Sequence, residues 1–358
     1  MDLTRRTLSA ALPALAASRA RAAPKRKRPL AIAHRGASGE RPEHTLMGYR
    51  LAIAEGADFI EPDLVPTRDG HLVVRHEPEI GGTTDVAKHP EFASRKTTKV
   101  IDGEKLTGWF THDFTLQELK TLRARERLPQ LRPSSARFDG LEAIPTYQEM
   151  LDLAKAESRR VGRPIGTYPE MKHPTYFASI GLPLEHRLLD ALRRNGLDSR
   201  TAPVFVQCFE VGALKTFRTL SKAPLIQLVQ TTGGPADAPN LSYREMTGAA
   251  GLRQVAAYAD GIGPEWPMVV PVIDGSLGPA TPLVAEAHAK GLAVHPWTVR
   301  AENAFLPAKL RRGASPAEHG DVDALYSALY ATGIDGLFSD FTALNVAARD
   351  RYLAAWKR

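Results

Sequence analysis

Carboxylates and imidazoles stand at the ends of short apolar runs in this chain. Glu61 and Asp63 lie in the run 58–64, which predicts a β-strand, and side chains two residues apart on a strand point to the same side. Two converging carboxylates repel each other unless a cation lies between them, and an oxygen-seeking divalent cation is the natural partner. The spacing therefore predicts a metal site on this strand.

Two histidines and an arginine occupy similar positions. His34 and Arg35 follow the apolar run 29–33, and His76 follows the run 72–75. The ends of strands hold side chains in fixed directions, and catalytic groups in α/β folds concentrate there. These three residues are therefore candidates for the same site as the two carboxylates.

Strand-like and helical runs alternate along most of the chain. Further strands are predicted at residues 164–170, 203–208, 225–229, 260–263, 292–297 and 336–338. Helices are predicted at residues 45–56, 146–156, 184–195, 210–220, 281–290 and 321–331. If residues 72–75 are a hairpin extension of the second strand, the count is eight strands, which predicts the α/β fold called a (β/α)8 or TIM barrel.

One long segment interrupts this alternation. Residues 81–143 contain a Gly81-Gly82 pair, many charged residues and a predicted short helix at 116–127. The segment is too long for an ordinary connection. We therefore predict a barrel formed by residues 29–80 and 144–358, with residues 81–143 inserted as a cap over its mouth.

The carboxyl ends of barrel strands line one mouth, so their residues are expected to meet there. A single glutamate or histidine at a strand end is more often solvated or capping than catalytic, but the joint pattern favours an active site. The residues at or just after the predicted strand ends are His34, Arg35, Glu61, Asp63, His76, Glu170, Lys172, Gln207, Trp297 and Asp340.

The order of these residues resembles a known family. His34-Arg35-Gly36-Ala37, Pro42-Glu43-His44-Thr45, Glu61-Pro62-Asp63 and His76 are similar to the signature of the glycerophosphodiester phosphodiesterases. The runs 170–172, 206–209 and 336–340 continue that signature in the same order. The insertion and the run 295–303 resemble the secreted, periplasmic branch of the family. His44 and Glu77 stand where many relatives have asparagine and aspartate.

The resemblance implies a metal held by Glu61, Asp63 and Glu170, with His34 and His76 as acid and base. It implies hydrolysis of small-molecule glycerophosphodiesters, such as glycerophosphocholine or glycerophosphoethanolamine, to sn-glycerol 3-phosphate and an alcohol through a cyclic phosphate. Three carboxylates suit Ca²⁺ or Mg²⁺, whereas zinc is less suited without a cysteine ligand. The sequence leaves open which histidine is the acid.

The remaining strand-end residues suit substrate binding. Arg35 and Lys172 are expected to neutralise phosphate charge. Gln207, with Glu43, is a candidate for hydrogen bonds to metal or phosphate. Trp297 is interpreted either as an apolar wall for the glycerol carbons or as an aromatic residue of the barrel core.

Composition limits the possible partners and compartments. The formal net charge is +7, of which residues 1–22 account for +3 through four arginines and one aspartate, which leaves about +4. No basic run is interleaved with aromatic residues, so we expect no nucleic acid partner. Cys208 is the single cysteine, so neither an intramolecular disulfide nor a cysteine-based metal site is expected.

Residues 1–22 resemble an export signal. Arg5 and Arg6 precede the modest apolar run 8–17, and Ala20-Arg21-Ala22 offers small residues for cleavage. The run is too short and too rich in alanine to span a bilayer. We predict twin-arginine export to the periplasm or beyond; the alternative is a solvated basic tail.

Two other functions fit the same fold. One is a phospholipase D-like or sphingomyelinase D-like lyase that acts on membrane lipids, which would need an exposed apolar rim. The other is a non-catalytic binding barrel, which the retention of both histidines and three acidic residues disfavours.

Overall fold

A closed barrel of eight strands forms the centre of the molecule. The computed structural model describes residues 28–355. The predicted (β/α)8 fold is confirmed. The barrel strands are Leu30–His34 (β1), Phe59–Glu61 with Asp63–Pro66 (β2), Gly166–Thr167 with Glu170–Met171 (β3), Val206–Cys208 (β4), Leu225–Val229 (β5), Gly261–Pro264 (β6), Ala293–Val294 (β7) and Gly336–Ser339 (β8).

Neighbouring barrel strands are parallel and follow chain order around the ring, with β8 beside β1. The last gap closes because Val299 N–H donates to the Phe338 carbonyl and Phe338 N–H donates to the Pro296 carbonyl. The predicted hairpin extension of β2 is present, because Leu72–Val74 pairs antiparallel with Asp63–Pro66. The ends of β1, β2 and β3 therefore meet at one mouth.

Large side chains fill the barrel interior. Ile32, Tyr168, Ile226 and Phe338 come from four different strands and form one buried cluster. The Tyr168 and Phe338 rings meet edge to face with centroids 4.9 Å apart. This packed layer lies beneath the residues of the mouth, so the barrel is a core rather than a channel.

Truncating Phe338 should test how far this layer stabilises the barrel. Phe338→Ala is expected to lower the free energy of unfolding by about 3–5 kcal/mol, because a buried aromatic side chain is removed and a cavity remains. The exposed Leu141, 62% accessible, provides the control, since Leu141→Ala should change stability by less than about 0.5 kcal/mol. Urea denaturation monitored by circular dichroism would measure both, and equal stabilities would contradict the assigned packing.

Helices surround the barrel and connect its strands. Thr45 and Thr146 cap two of them, since each hydroxyl accepts a hydrogen bond from a backbone N–H of the first turn. No helix between residues 28 and 355 has the length and apolar composition needed to cross a membrane. The α-helices are Leu46–Ala54, Leu116–Leu119, Pro133–Ala136, Tyr147–Val161, Pro174–Ser179, Leu184–Arg194, Val211–Leu220, Tyr243–Thr247, Ala249–Val255, Leu283–His288, Val322–Ala331 and Thr342–Ala355. Short 3₁₀ turns span Val86–Lys88, Pro90–Arg95, Thr111–Asp113, Trp266–Met268, Asn303–Phe305 and Ala308–Leu310.

The helix predicted at 116–127 is too long. Thr115 and Glu118 form a capping box that starts a helix, but it covers only Leu116–Leu119. Beyond it, Arg123 and Ala124 adopt extended backbone and bridge to Ala143 and Thr84. Tertiary pairing therefore overrides local helix propensity here.

The 81–143 segment contains a hairpin that the sequence analysis missed. Strands Thr97–Ile101 and Glu104–Gly108 pair antiparallel around the two-residue turn Asp102-Gly103. Both turn residues have positive φ, +49° and +83°, as a type I′ turn requires. The Asp-Gly signal was present, but most of the flanking residues are exposed and show no apolar alternation.

Candidate active site

A cavity of about 310 Å³ opens at the carboxyl ends of the barrel strands. Of the residues predicted for the site, all but Glu43, Asp63 and Asp340 line this cavity directly. Its walls comprise His34, Arg35, Glu61, His76, Glu170, Lys172, Gln207, Phe209, Leu228, Gln230, Trp297, Thr298, Arg300 and Phe338.

Strand register brings the three carboxylates together. Asp63 of β2 lies directly beside Glu170 of β3, and Glu61 lies beside His34 of β1. One oxygen from each of Glu61, Asp63 and Glu170 lies within 4.8 Å of the others, and all three residues are buried. Side chains more than one hundred residues apart in sequence therefore form one cluster.

The donor set of this cluster fits a hard divalent cation. The buried Asp63 Oδ1 and Gln207 Oε1 have no hydrogen-bond partner, so both oxygens are free to be ligands. Gln207 Nε2 donates to Glu61 Oε1 at 3.3 Å, which ties the amide to the cluster. Buried carboxylate and amide oxygens are the ligands that Ca²⁺ and Mg²⁺ prefer.

The charges of the cluster are only partly balanced by protein cations. Burial, and then repulsion by Asp63, raises the pKa of Glu61 well above its usual value. Burial raises the pKa of Glu170 to about 7, although Lys172 Nζ lies 2.8 Å from its Oε1 and opposes the change. Burial also disfavours the Asp63 anion, but His76 and Lys172 hold the pKa of Asp63 well below its usual value. Such a group of buried acids stores repulsion that a bound cation would relieve.

His34 belongs to an imidazole–carboxylate pair. Its Nδ1 lies 2.6 Å from Asp340 Oδ1, so the carboxylate holds the proton on Nδ1 and leaves the Nε2 lone pair available. Burial, followed by the Arg35 charge, lowers the pKa of His34 to about 4 despite Asp340. His34 is therefore neutral at pH 7 in the structure.

His76 has the same kind of partner. Its Nδ1 lies 2.5 Å from Glu77 Oε1, and its Nε2 lies 3.2 Å from Lys172 Nζ. Burial, and then the positive charges of Arg35 and Lys172, lowers the pKa of His76 to about 3. Since the ammonium donates to Nε2, the imidazole carries its proton on Nδ1.

Arg35 lies where the backbone turns sharply after β1. Its φ is +60°, and the following Gly36 has φ +88°. The Arg35 N–H donates to Glu61 Oε2 at 2.8 Å, and Arg35 Nη1 donates to Glu43 Oε2 at 3.1 Å. A non-glycine residue held at positive φ beside the carboxylate cluster is typical of a functional site.

Trp297 combines features of both interpretations. Its indole N–H donates to the Gly263 carbonyl at 2.7 Å, and its ring packs edge-on against Phe209 at 5.7 Å. The ring lines the cavity and also contacts the barrel-core cluster. It therefore forms a wall of the site that is fixed by the barrel.

Comparison with known proteins identifies the family. The model of the glycerophosphoryl diester phosphodiesterase family matches residues 34–344. A glycerophosphodiester phosphodiesterase of Arabidopsis thaliana is 38% identical over 88% of this chain and 84% of its own length. That of Haemophilus influenzae is 32% identical over 87% of this chain and 86% of its own length. The chain belongs to the glycerophosphoryl diester phosphodiesterase family.

Solved structures related to this family member share its fold. A phosphodiesterase of Oleispira antarctica, in complex with the product sn-glycerol-3-phosphate, superimposes with a TM-score of 0.60 at 20% identity, over 90% of this chain and 97% of its own. A glycerophosphodiester phosphodiesterase of Agrobacterium tumefaciens gives 0.54 at 18% identity, over 88% and 98%. Family membership makes the protein an enzyme, a phosphoric diester hydrolase with glycerophosphodiester phosphodiesterase activity.

Several residues of this phosphodiesterase site were not predicted. Arg127 bonds Glu43 and Glu77, and Arg132 and Arg300 both bond Asp340. Arg127 and Arg132 come from the insertion, where no strand end marks them. His44, predicted only as part of the family signature, also contributes, because its Nε2 lies 2.9 Å from Asp63 Oδ2. Glu43, predicted to bond metal or phosphate, accepts from Arg35 in the structure.

A larger cavity of about 580 Å³ lies near the other end of the barrel, where the helix Tyr147–Val161 ends and β3 begins. Its lining includes Lys155, Arg159 and Arg163 but no aspartate, glutamate or histidine. It has neither a histidine nor a group of carboxylates like the one in the smaller cavity, so the smaller cavity is the candidate active site.

Proposed function

We propose that this enzyme hydrolyses glycerophosphodiesters such as glycerophosphocholine and glycerophosphoethanolamine, in a metal-dependent reaction, to sn-glycerol 3-phosphate and an alcohol. The observation that carries the proposal is the convergence of Glu61, Asp63 and Glu170 within 4.8 Å beside two neutral imidazoles. The sn-glycerol-3-phosphate bound to the Oleispira antarctica structure supports the choice of product.

The three carboxylates would hold Ca²⁺ or Mg²⁺, with Gln207 Oε1 as an additional oxygen. When bound, the cation supplies positive charge to the phosphate oxygens, which is where most of the catalysis of phosphoryl transfer arises. Arg35 and Lys172 line the same cavity and add their charges to the phosphate. Trp297 shields the glycerol carbons from water.

His34 and His76 move the protons. One neutral imidazole accepts the proton of the glycerol hydroxyl adjacent to the phosphoester while that oxygen attacks phosphorus. The other imidazole enters this step as the imidazolium, having taken up a proton beside the anionic phosphodiester, and gives that proton to the departing alcohol. A five-membered cyclic phosphate results. Water then opens this ring with the two histidines in exchanged roles, which restores both protonation states. Asp340 and Glu77 keep each ring in a single tautomer.

We also propose that the protein is exported by the twin-arginine route to the periplasm or beyond. Support comes from the order of Arg5-Arg6, the apolar run 8–17 and Ala20-Arg21-Ala22 in the sequence. These residues lie outside the described part of the chain.

Product analysis tests the proposed reaction. Purified enzyme should convert glycerophosphocholine to sn-glycerol 3-phosphate, and EDTA should reduce the rate at least about 100-fold, because the carboxylate cluster without its cation repels the phosphate. Adding Ca²⁺ or Mg²⁺ in excess should restore the rate. Phosphorus NMR would follow substrate, cyclic phosphate and product.

The same assay separates the alternative functions. Turnover of lysophosphatidylcholine micelles in preference to glycerophosphocholine would favour a lipid-directed lyase. Unchanged turnover in EDTA after prolonged dialysis would overturn metal dependence, and no turnover of either substrate with added cation would favour a binding barrel.

A further inference from the structure

Two arginines of the insertion contact the carboxylates that orient the two histidines. Arg127 and Arg132 are five residues apart, and each guanidinium lies between two acidic side chains. One acid of each pair is the partner of an active-site imidazole. Nothing in the reaction described above requires these arginines.

On the His76 side, Arg127 forms an ion pair with Glu77. Arg127 Nη1 donates to Glu77 Oε1 at 2.8 Å, and that same oxygen lies 2.5 Å from His76 Nδ1. Arg127 Nε donates to Glu43 Oε2 at 2.7 Å, and the same oxygen accepts from Arg35 Nη1. Glu77 is therefore fixed between its imidazole and a guanidinium that is itself anchored to the barrel.

On the His34 side, Arg132 forms an ion pair with Asp340. Arg132 Nη2 donates to Asp340 Oδ2 at 2.6 Å, while the other carboxylate oxygen contacts His34 Nδ1. Arg132 Nε donates to Glu302 Oε1 at 2.6 Å, and Nη1 donates to the Ser38 carbonyl at 2.8 Å. Arg132 is 6% exposed, so these charge-assisted bonds are shielded from water.

The short segment that carries both arginines is itself held in place. Arg132 N–H donates to the Leu128 carbonyl at 2.8 Å, which closes a turn between the two arginines. Glu126, buried at the start of the segment, accepts from Ser135 Oγ at 2.5 Å, and its own N–H donates to Asp139 Oδ1 at 2.6 Å. The distance between the two guanidinium groups is therefore set by the local fold.

We propose that residues 126–132 form a clasp, by which the insertion positions His34 and His76 together for proton transfer. Arg127 and Arg132 are positioning residues: each fixes a carboxylate, and the carboxylate fixes the ring and its tautomer. The clasp rests on the proposed function, because it assigns the cap a task in that same reaction.

Arginine is suited to this position because its planar fork bonds two carboxylates at once, whereas lysine presents a single charged point. Without its guanidinium, Glu77 would lose its arginine partner, and Asp340 would keep only Arg300, whose Nε donates to Oδ2 at 2.9 Å. Each carboxylate would then hold its imidazole less firmly. Residues that orient metal ligands from the outer shell typically contribute about 10–100-fold to activity, and we expect an effect of the same size for residues that orient the two histidines.

Kinetics of Arg127→Gln and Arg132→Gln test the clasp. We expect kcat for glycerophosphocholine to fall about 10–100-fold in each variant, with partial recovery in Arg127→Lys and Arg132→Lys. The matched control is Arg95→Gln, because Arg95 also lies in the insertion and forms a two-point ion pair with Glu118 but contacts neither histidine nor its partner. The control should stay within about twofold of wild type.

A second substrate separates positioning from general damage to the fold. In sn-glycerol 3-(4-nitrophenyl) phosphate the leaving group departs without protonation, so the first step, measured as 4-nitrophenolate release in a single turnover, depends on the base but not on the acid. The variant whose arginine positions the acid should therefore lose much less activity on this ester than on glycerophosphocholine. The variant whose arginine positions the base should lose the same factor of activity on both substrates. The variant with the smaller loss on the nitrophenyl ester identifies the acid, which is His76 for Arg127→Gln and His34 for Arg132→Gln.

An NMR measurement gives a readout independent of turnover. Protons on the Nδ1 atoms of His34 and His76 are hydrogen-bonded to carboxylates and should resonate far downfield in wild type. Arg127→Gln should remove only the His76 resonance, and Arg132→Gln only the His34 resonance. If a glutamine variant does not fold, the lysine variant is measured in its place.

Failure of the clasp and failure of the proposed function give different results in these experiments. Either folded variant with kcat within threefold of wild type, equal losses on both esters for both variants, or unchanged Nδ1 resonances would overturn the clasp. If wild type itself turns over neither ester, the proposed function fails, while the Nδ1 resonances still decide whether the arginines position the rings.

Discussion

Replacing His34 or His76 by alanine is expected to reduce kcat by about 10²–10⁴-fold, the usual contribution of a positioned acid or base. Both rings line the cavity beside the carboxylate cluster. Both are neutral at pH 7 in the free protein, so the ring that acts as base can accept the proton of the attacking hydroxyl. Without one of the rings, water must carry out either the proton transfer from the attacking hydroxyl or the proton transfer to the departing alcohol. Steady-state kinetics on glycerophosphocholine would measure the loss.

Metal binding provides the control for these variants. Neither histidine belongs to the carboxylate cluster, so calorimetric titration with Ca²⁺ or Mg²⁺ should give nearly the same Kd for wild type, His34→Ala and His76→Ala. His288→Ala serves as the matched variant, because His288 also pairs with a carboxylate, Asp335, at 2.8 Å, but lies outside the cavity. A variant at His34 or His76 with near-wild-type kcat would refute its assigned role.

The sequence was sufficient to predict the residues at the ends of the strands. Apolar runs mark the strands, and in a parallel barrel the carboxyl ends of all strands converge. The register pairs Asp63 with Glu170 and His34 with Glu61, as residues at equivalent strand ends should pair. A local pattern combined with one topological rule therefore placed these residues in one site.

The sequence was not sufficient for contacts made by irregular backbone. Arg132 reaches Asp340 across 208 positions, and Arg127 reaches Glu43 across 84. Neither arginine lies in a helix or strand, so no periodicity gives its direction. Charged residues in a long insertion are normally interpreted as solvated, and only the three-dimensional arrangement shows that these two are paired with buried acids.

The insertion also shows why the hydrophobic pattern failed there. Residues 97–108 form a hairpin in which most side chains are exposed, so the alternation that reveals a half-buried strand is absent. The helix predicted at 116–127 had a good capping signal but ended after one turn, because Arg123 and Ala124 pair with distant extended segments. Pairing between distant residues decides both cases.

Glu61→Gln is expected to abolish cation-dependent activity and also to stabilise the cation-free protein. The three buried carboxylates repel one another, and burial with the neighbouring Asp63 raises the pKa of Glu61 well above its usual value. A neutral amide keeps an oxygen that accepts the Arg35 N–H but removes one charge, so the free energy of unfolding in EDTA should rise by roughly 1 kcal/mol. Calcium affinity depends strongly on ligand charge, so Kd should increase at least about 100-fold.

A Glu61→Gln protein that binds the cation more weakly but is more stable in EDTA distinguishes a metal site from a cluster that stabilises the fold. Urea denaturation with EDTA and with Ca²⁺ should show wild type stabilised by the cation and Glu61→Gln unaffected by it. The control is Glu157→Gln, since Glu157 is also buried but pairs with Arg160 on a helix outside the cavity. Because repulsion among the acids opposes folding until a cation binds, a Glu61→Gln protein that is less stable than wild type in EDTA would mean that the cluster serves the fold rather than the cation.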